Sequence, residues 1–291
     1  MTEGPIDPGR VSVVMPARDE AATIDRVIAD LKRVAPGVRE MIVVDDGSID
    51  ATRAVADRAG AVVIAHPTSR GYGAAVKSGI LAAKGEFVLV LDADGQHRPE
   101  EVPALLAEAG THDLVTGHRV RVFHSSAWKL PGKWLLRRLG SYLVGRHIPD
   151  LNCGFRVFRR ETILRYLRLC SDGYSFSSTS LLLLLHEGHP VAFVPVDVTP
   201  AHRRGRVTVR TGFDTVVLLL RITTLLDPLR IFLPLSLVLF IAGIAWGTPY
   251  AVAGHGVSVG ALLLLLTAVL LFGVGLVSDQ IAQLRKEWLE R

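Results

Sequence analysis

Cys153 and Cys170 are the only cysteines in 291 residues, and neither has partners at zinc-ligand spacing. A structural zinc site is excluded, and a reducing compartment suits the chain. Residues 1–10 carry two prolines and no apolar run, which predicts no signal peptide. There is no G-x-G-x-x-G motif either. The glycine-bearing stretch Gly71-Tyr-Gly-Ala-Ala-Val-Lys77-Ser-Gly79 follows His66-Pro67 rather than a first strand, which argues against a dinucleotide-dependent dehydrogenase. No internal repeat or low-complexity tract interrupts the chain.

Charge is missing from residues 231–247 and 257–277, which contain no Lys, Arg, Asp or Glu. At 1.5 Å per residue they cover about 26 and about 30 Å, close to the hydrocarbon thickness of a bilayer. They account for a mean hydropathy of +0.34, too apolar for an ordinary soluble enzyme. The chain therefore divides into a cytosolic domain (1–212), an amphipathic juxtamembrane helix (213–230), two transmembrane helices (231–248 and 257–278) and a cytosolic tail (279–291). Arg221, Arg230, Arg285, Lys286 and Arg291 flank the outer ends of the helix pair, whereas residues 248–256 hold no Lys or Arg. By the positive-inside rule both termini are cytoplasmic. The formal charge of +5 comes from basic residues grouped over 119–210 and beside the apolar helices. That distribution suits a membrane surface and phosphate rather than nucleic acid. Self-association, as a homo-oligomer, is left open.

Before these helices, short apolar runs alternate with helical patterns. Strands are predicted at 11–15, 41–44, 61–65 and 86–91, with helices over 20–34, 51–59 and 71–84. Such alternation gives an α/β domain with a mostly parallel, Rossmann-like sheet. Beyond Pro99 the pattern is less regular, with strands at 113–117, 152–158 and 191–198 and helices over 130–144 and 160–169. Residues 175–186, built around five leucines, are too short to span a bilayer and read as buried or interfacial. The apolar run 87–91 stops at Asp92-Ala-Asp94, and ligands collect beyond the carboxyl ends of such strands. Two carboxylates at i and i+2 can grip one divalent cation, which in turn can hold a diphosphate. The stretch around Gly71 either lets a helix N-terminus approach phosphate, with Lys77 as an added cation, or serves close packing.

Four motifs in order, V-V-M-P-A-R-D-E at 13–20, D-D-G-S-x-D-x-T at 45–52, D-A-D-x-Q at 92–96 and G-F-R-x-F-R-R at 154–160, together resemble the family 2 glycosyltransferases. More narrowly, they resemble the dolichyl-phosphate mannose synthase and polyprenyl-phosphate glucosyltransferase group. The resemblance covers nearly the whole chain and implies the A-type glycosyltransferase fold. It implies that Pro16, Ala17 and Glu20 lie against the nucleoside and that Asp45 or Asp46 accepts from base or ribose. Asp92, Asp94 and Gln96 would hold Mg²⁺ or Mn²⁺ and the diphosphate. On the acceptor side it implies that Arg119, with the pair Arg137 and Ser141, binds a lipid phosphate. Residues 203–208 read R-R-G-R-V-T and lack the group's Ser-Lys pair, leaving Arg206 or Arg210 to substitute. Asp150 matches an acidic position that the resemblance offers as a base. A phosphate monoester is already ionised at neutral pH, so the role that fits Asp150 is orienting an arginine.

The implied function is inverting transfer of one sugar from a UDP- or GDP-hexose to undecaprenyl or dolichyl phosphate at the cytosolic face. The rival readings are a non-catalytic scaffold with a transferase fold, or a transferase with another acceptor. A processive polymerase is disfavoured because Q-x-x-R-W is missing. Nothing in the residues chooses the sugar or the nucleotide.

Overall fold

A computed structural model describes residues 6–120, 148–197, 224 and 227–290. Two units emerge, residues 1–207 and 208–291, each with its own packing. The predicted helix at 130–144, the basic stretch 203–210 and most of the juxtamembrane segment lie outside the described residues.

The first unit is built on one seven-stranded sheet in the order β3-β2-β1-β4-β6-β5-β7. Its members are β1 (Val11–Ala17), β2 (Glu40–Asp45), β3 (Val62–Ala65), β4 (Phe87–Val90), β5 (Leu114–Arg119), β6 (Arg156–Arg159) and β7 (Val191–Val196). β1 and β4 are buried along their whole length, as unbroken apolar runs in a two-sided α/β sheet should be. Helices α1 (Ile24–Val34), α2 (Thr52–Arg58), α3 (Tyr72–Ala82) and α4 (Val102–Ala109) follow β1 to β4 in turn. Helices α5 (Arg160–Tyr166) and α6 (Phe176–His186) lie between β6 and β7.

Pro16 does not end β1 as expected. The strand continues to Ala17, paired with Asp45 of β2. Leu91 N donates to Val14 O and Asp46 N to Ala17 O, so alternate residues face β4 and β2. Pro16 thus faces the side where β4 has already ended, and its missing N–H breaks no ladder bond.

β6 alone runs antiparallel to its neighbours. Its first residue, Arg156, pairs with Val90 at the end of β4 and with Thr116 near the end of β5. This reversal delivers residues 150–156 to the same sheet edge as Asp92 and Arg119. α6 is the apolar segment read as buried or interfacial. It is buried from Phe176 through Leu185.

The second unit is a helical hairpin, α7 (Leu229–Val252) and α8 (Val259–Glu290). Both are long and apolar enough to cross a membrane, and 24 residues of helix span about 36 Å. They approach through small residues. A Cβ on Gly247 would lie 2.9 Å from that of Ala261, and one on Gly275 would lie 2.6 Å from that of Phe232. Leu233, Leu237, Phe240, Leu262, Leu266 and Leu270 remain exposed, as lipid-facing side chains would be. The hairpin differs from the expected boundaries at both ends. α7 runs past Gly247 to Val252, so the connection is shorter than 248–256. α8 continues through the region expected to be a separate tail, because Gln280 to Glu290 are mostly strong helix formers.

Candidate active site

The carboxyl ends of β1, β2, β4 and β5 and the start of β6 meet on one edge of the sheet. Two residues past Val90, the Asp92 carboxylate accepts from Tyr72 Oη at 3.0 Å through Oδ1, and His97 Nε2 lies 3.9 Å from Oδ2. Asp94 accepts from Gln96 N at 3.0 Å and from the Gln96 side-chain amide. Burial raises the pKa of both carboxyls from its ordinary value. For Asp92 that outweighs the opposing pull of Tyr72, Arg119 and Arg156, and for Asp94 the Asp92 charge adds to it.

Among the described residues no cluster of three His, Cys, Asp or Glu side chains forms a complete metal site. Two half-buried carboxylates beside one another nevertheless suit a cation that keeps water and takes its remaining oxygens from a bound phosphate. Mg²⁺ is usually held in that way.

His97 is a residue that motif reading passes over. It is buried, its ring lies 5.2 Å from that of Phe155, and its Nδ1 has no hydrogen-bond partner among the described residues. Burial lowers its pKa to about 4, which keeps the imidazole neutral at physiological pH.

On the opposite flank Arg119 and Asp150 form a bidentate pair, Nε to Oδ2 at 2.6 Å and Nη2 to Oδ1 at 2.9 Å. The hydrogen bonds that Arg119 donates to Asp150 raise the Arg119 pKa. Burial works against the Asp150 charge, but Arg119 overrides it and holds the carboxyl below its ordinary value. The pair thus stays doubly charged, with the plane of the guanidinium fixed by a fork of parallel bonds. Arg137, Ser141 and Arg206 lie outside the described residues.

Arg156, which stands in the G-F-R-x-F-R-R motif but is given no role there, is fully buried and has no carboxylate partner among the described residues. Its Nε donates to Cys153 O at 2.6 Å, Nη2 to Leu151 O at 3.2 Å, and Nη1 to Ser177 O and Ser180 Oγ. One guanidinium thereby ties the loop carrying Asp150 and Gly154 to the start of α6. Burial lowers its pKa.

At the far end of this sheet edge, Pro16 and Ala17 end β1. The next loop is laced to that after β2: Glu20 N donates to Thr52 Oγ1 at 2.8 Å, and Asp19 N to Ser48 Oγ at 3.0 Å. Asp19 has φ 56, a left-handed conformation that Asp tolerates better than most residues. Thr23 Oγ1 donates to Ala93 O at 2.9 Å, joining this loop to the D-x-D turn. Asp45 accepts from Ser48 N at 3.0 Å.

Asp46 has a structural job. It is buried and accepts from Ser69 Oγ at 2.8 Å, Arg70 N at 2.8 Å and Gly71 N at 2.9 Å. His66 Nδ1 lies 2.7 Å from it, and His66 Nε2 lies 3.0 Å from Ser78 Oγ. Burial alone would raise the Asp46 pKa, but these hydrogen bonds together bring it to about 2.

A group with a depressed folded pKa stabilises above its unfolded value, near 3.8, and loses that contribution as pH falls through about 2. Asp46 should account for about 2 kcal/mol of acid destabilisation between roughly pH 4 and pH 2. Denaturant titrations of Asp46→Asn across that window should lack this slope. An unchanged slope would remove Asp46 as the anchor of residues 66–71.

Lys77 is likewise engaged. Its Nζ donates to Cys170 O at 2.5 Å and Asp172 Oδ1 at 2.6 Å. Gly71, at φ +102, and Gly73 pack against the same segment: a Cβ on Gly71 would lie 2.8 Å from Asp172 O, and one on Gly73 2.8 Å from Gly173 O. These contacts are close packing of the stretch around Gly71 against residues 170–173.

Known families match both the sheet-bearing unit and the hairpin. The model of glycosyl transferase family 2 matches residues 12–167. The chain belongs to that family. A second model, the GtrB C-terminal hairpin, matches residues 227–284. A dolichyl-phosphate hexose transferase of Haloferax volcanii is 32% identical over 199 residues, covering 67% of this chain and 85% of that protein. An undecaprenyl-phosphate 4-deoxy-4-formamido-L-arabinose transferase of Pseudomonas paraeruginosa is 28% identical over 96% of this chain and 86% of its own length. Among solved structures, glucosyl-3-phosphoglycerate synthase from Mycobacterium tuberculosis, in complex with Mn²⁺, uridine diphosphate and phosphoglyceric acid, superposes with a TM-score of 0.61. It is 24% identical, over 73% of this chain and 78% of that one, and so bears on the fold alone.

Proposed function

We propose that this family 2 glycosyltransferase moves one hexose from a nucleoside diphosphate donor to a polyprenyl phosphate at the cytosolic membrane surface. The observation that carries the reading is convergence. The Asp92 and Asp94 carboxylates and the Arg119–Asp150 clamp share one sheet edge, in a chain that also carries an apolar helical hairpin. The relatives named for dolichyl-phosphate and undecaprenyl-phosphate transfer support the same acceptor class.

Asp92 and Asp94, the latter oriented by Gln96, would hold Mg²⁺ or Mn²⁺, which when bound supplies charge to the departing diphosphate. Arg119, fixed by Asp150, would align the acceptor phosphate. One phosphate oxygen forms the new bond to the anomeric carbon as the bond to the donor diphosphate breaks. The diphosphate keeps the electron pair, and no proton moves. Such a single displacement inverts the anomeric centre. Because the acceptor is already anionic, Asp150 need not be a base, and its bidentate engagement fits an orienting role. Positioning and fixed charge then do most of the catalysis.

Incubating membranes that contain the chain with labelled UDP- and GDP-hexoses and polyprenyl phosphate should move label into the lipid phase. Absence of transfer with every donor would favour a non-catalytic scaffold. For topology, the basic residues flanking the hairpin and a connection without Lys or Arg support a cytosolic location for both of its ends. A reporter fused after Arg291 should be inaccessible from outside, and labelling of that reporter in intact cells would overturn the arrangement.

A further inference from the structure

Tyr174 is 90% exposed, yet the loop that carries it is stapled down. Lys77 Nζ donates to Asp172 Oδ1 at 2.6 Å, Ala74 N to Asp172 O at 2.9 Å, Ser171 N to Thr179 Oγ1 at 3.1 Å, and Phe176 N to Gly173 O at 3.1 Å. An aromatic ring on a fixed loop loses little conformational freedom when something lands on it. The Tyr174 ring stacks on that of Tyr72, with centroids 5.9 Å apart and planes 12° from parallel. Tyr72 Oη in turn donates to Asp92 Oδ1 at 3.0 Å. Beside them Gly154 leaves bare backbone, since a Cβ there would lie 2.9 Å from both Asp92 Oδ2 and Tyr72 Oη. An open aromatic surface is thus tethered, through one phenol, to a carboxylate of the D-x-D pair.

We propose that the Tyr72–Tyr174 stack is the platform for the hexose ring of the donor, with Tyr174 as a residue that sets affinity for that sugar. The inference rests on the function proposed above and adds where the sugar lies. A pyranose presents a face of C–H groups that pairs with an aromatic face through dispersion and the ring quadrupole. The sugar hangs directly from the diphosphate that Asp92 and Asp94 would serve, so its ring must lie close to Asp92. An isoprenoid tail would call for a broad apolar surface. The neighbours of Tyr174 on its loop, Ser171, Asp172, Gly173 and Ser175, are polar or lack a side chain, which suits a single sugar ring instead.

The test is calorimetric binding to the full chain in detergent with Mn²⁺, using UDP, GDP, UDP-glucose and GDP-mannose as probes, for wild type, Tyr174→Phe and Tyr174→Ala. Tyr174→Ala should weaken the sugar-bearing nucleotide roughly tenfold while the matching nucleoside diphosphate stays within about twofold. Tyr174→Phe, which keeps the aromatic face, should match wild type with both. Equal losses for both ligands, or none for either, would overturn the platform. So would a defect confined to the dependence of rate on polyprenyl phosphate, because it would put the ring on the acceptor side. If the wild-type chain bound none of the four nucleotides, the transferase reading itself would fall, a result separable from any effect of Tyr174.

Discussion

Replacing Asp94 with Ala should lower turnover on the order of a thousandfold while leaving the fold intact. The magnitude follows from what the carboxylate would serve: charge developing on a departing diphosphate, in a half-buried site where fixed electrostatics dominate the barrier. The intact fold follows from the pKa direction. The Asp94 carboxyl is pushed up by burial and by the Asp92 charge, so its ionised form is penalised in the folded protein. A group raised in this way withdraws stability as pH rises through the carboxylate range, the opposite of Asp46. Asp94→Asn, which keeps the shape and drops the charge, should therefore have a metal-free Tm no lower than wild type at neutral pH, together with lost Mn²⁺ binding. A chelator should reproduce the activity loss, and added Mg²⁺ or Mn²⁺ should restore it. A variant retaining more than about a tenth of the activity would sink the assignment of Asp94 to metal and diphosphate.

The sequence discloses the Asp92–Asp94 pair because its signal is local: an apolar run that stops at two carboxylates. β1, β2 and β4 are legible for the same reason, and α7 and α8 because long uncharged stretches leave few alternatives. What escapes is whatever depends on partners distant in sequence. Strand direction is not written in residue type, so the antiparallel setting of β6, which brings Asp150 and Arg156 to the site, had no local mark. α4 begins just after Pro99, Glu100 and Glu101, where turn-forming and charged residues mask its apolar face. Arg156 stands in a recognisable motif, but its acceptors are mostly carbonyls of residues 151, 153 and 177, positioned only by the tertiary fold. Asp46 shows the converse. Its place in D-D-G-S suggests a ligand, while its bonds go to Ser69 Oγ and the backbone N–H groups of Arg70 and Gly71. Backbone donors leave no trace in a residue pattern.

Arg119→Ala should weaken use of the polyprenyl phosphate ten- to a hundredfold while leaving donor affinity near its wild-type value. A hydrogen bond to a charged group contributes roughly 1.5 to 3 kcal/mol, which sets that range. The bidentate bonds at 2.6 and 2.9 Å fix the Arg119 guanidinium on Asp150, so the two substitutions should differ in kind. Asp150→Asn keeps the cation but exchanges a charged fork for a neutral amide. It should produce a smaller acceptor defect, because the arginine is still present but less firmly aimed. Arg119→Lys should recover only part of the loss, since an ammonium keeps the charge without the planar arrangement of donors. Initial rates against polyprenyl phosphate concentration, set beside calorimetric donor affinity, separate these cases. If Arg119→Ala lost donor affinity and kept its acceptor dependence, the clamp would belong to the diphosphate side. The two flanks of the sheet edge would then have to exchange roles.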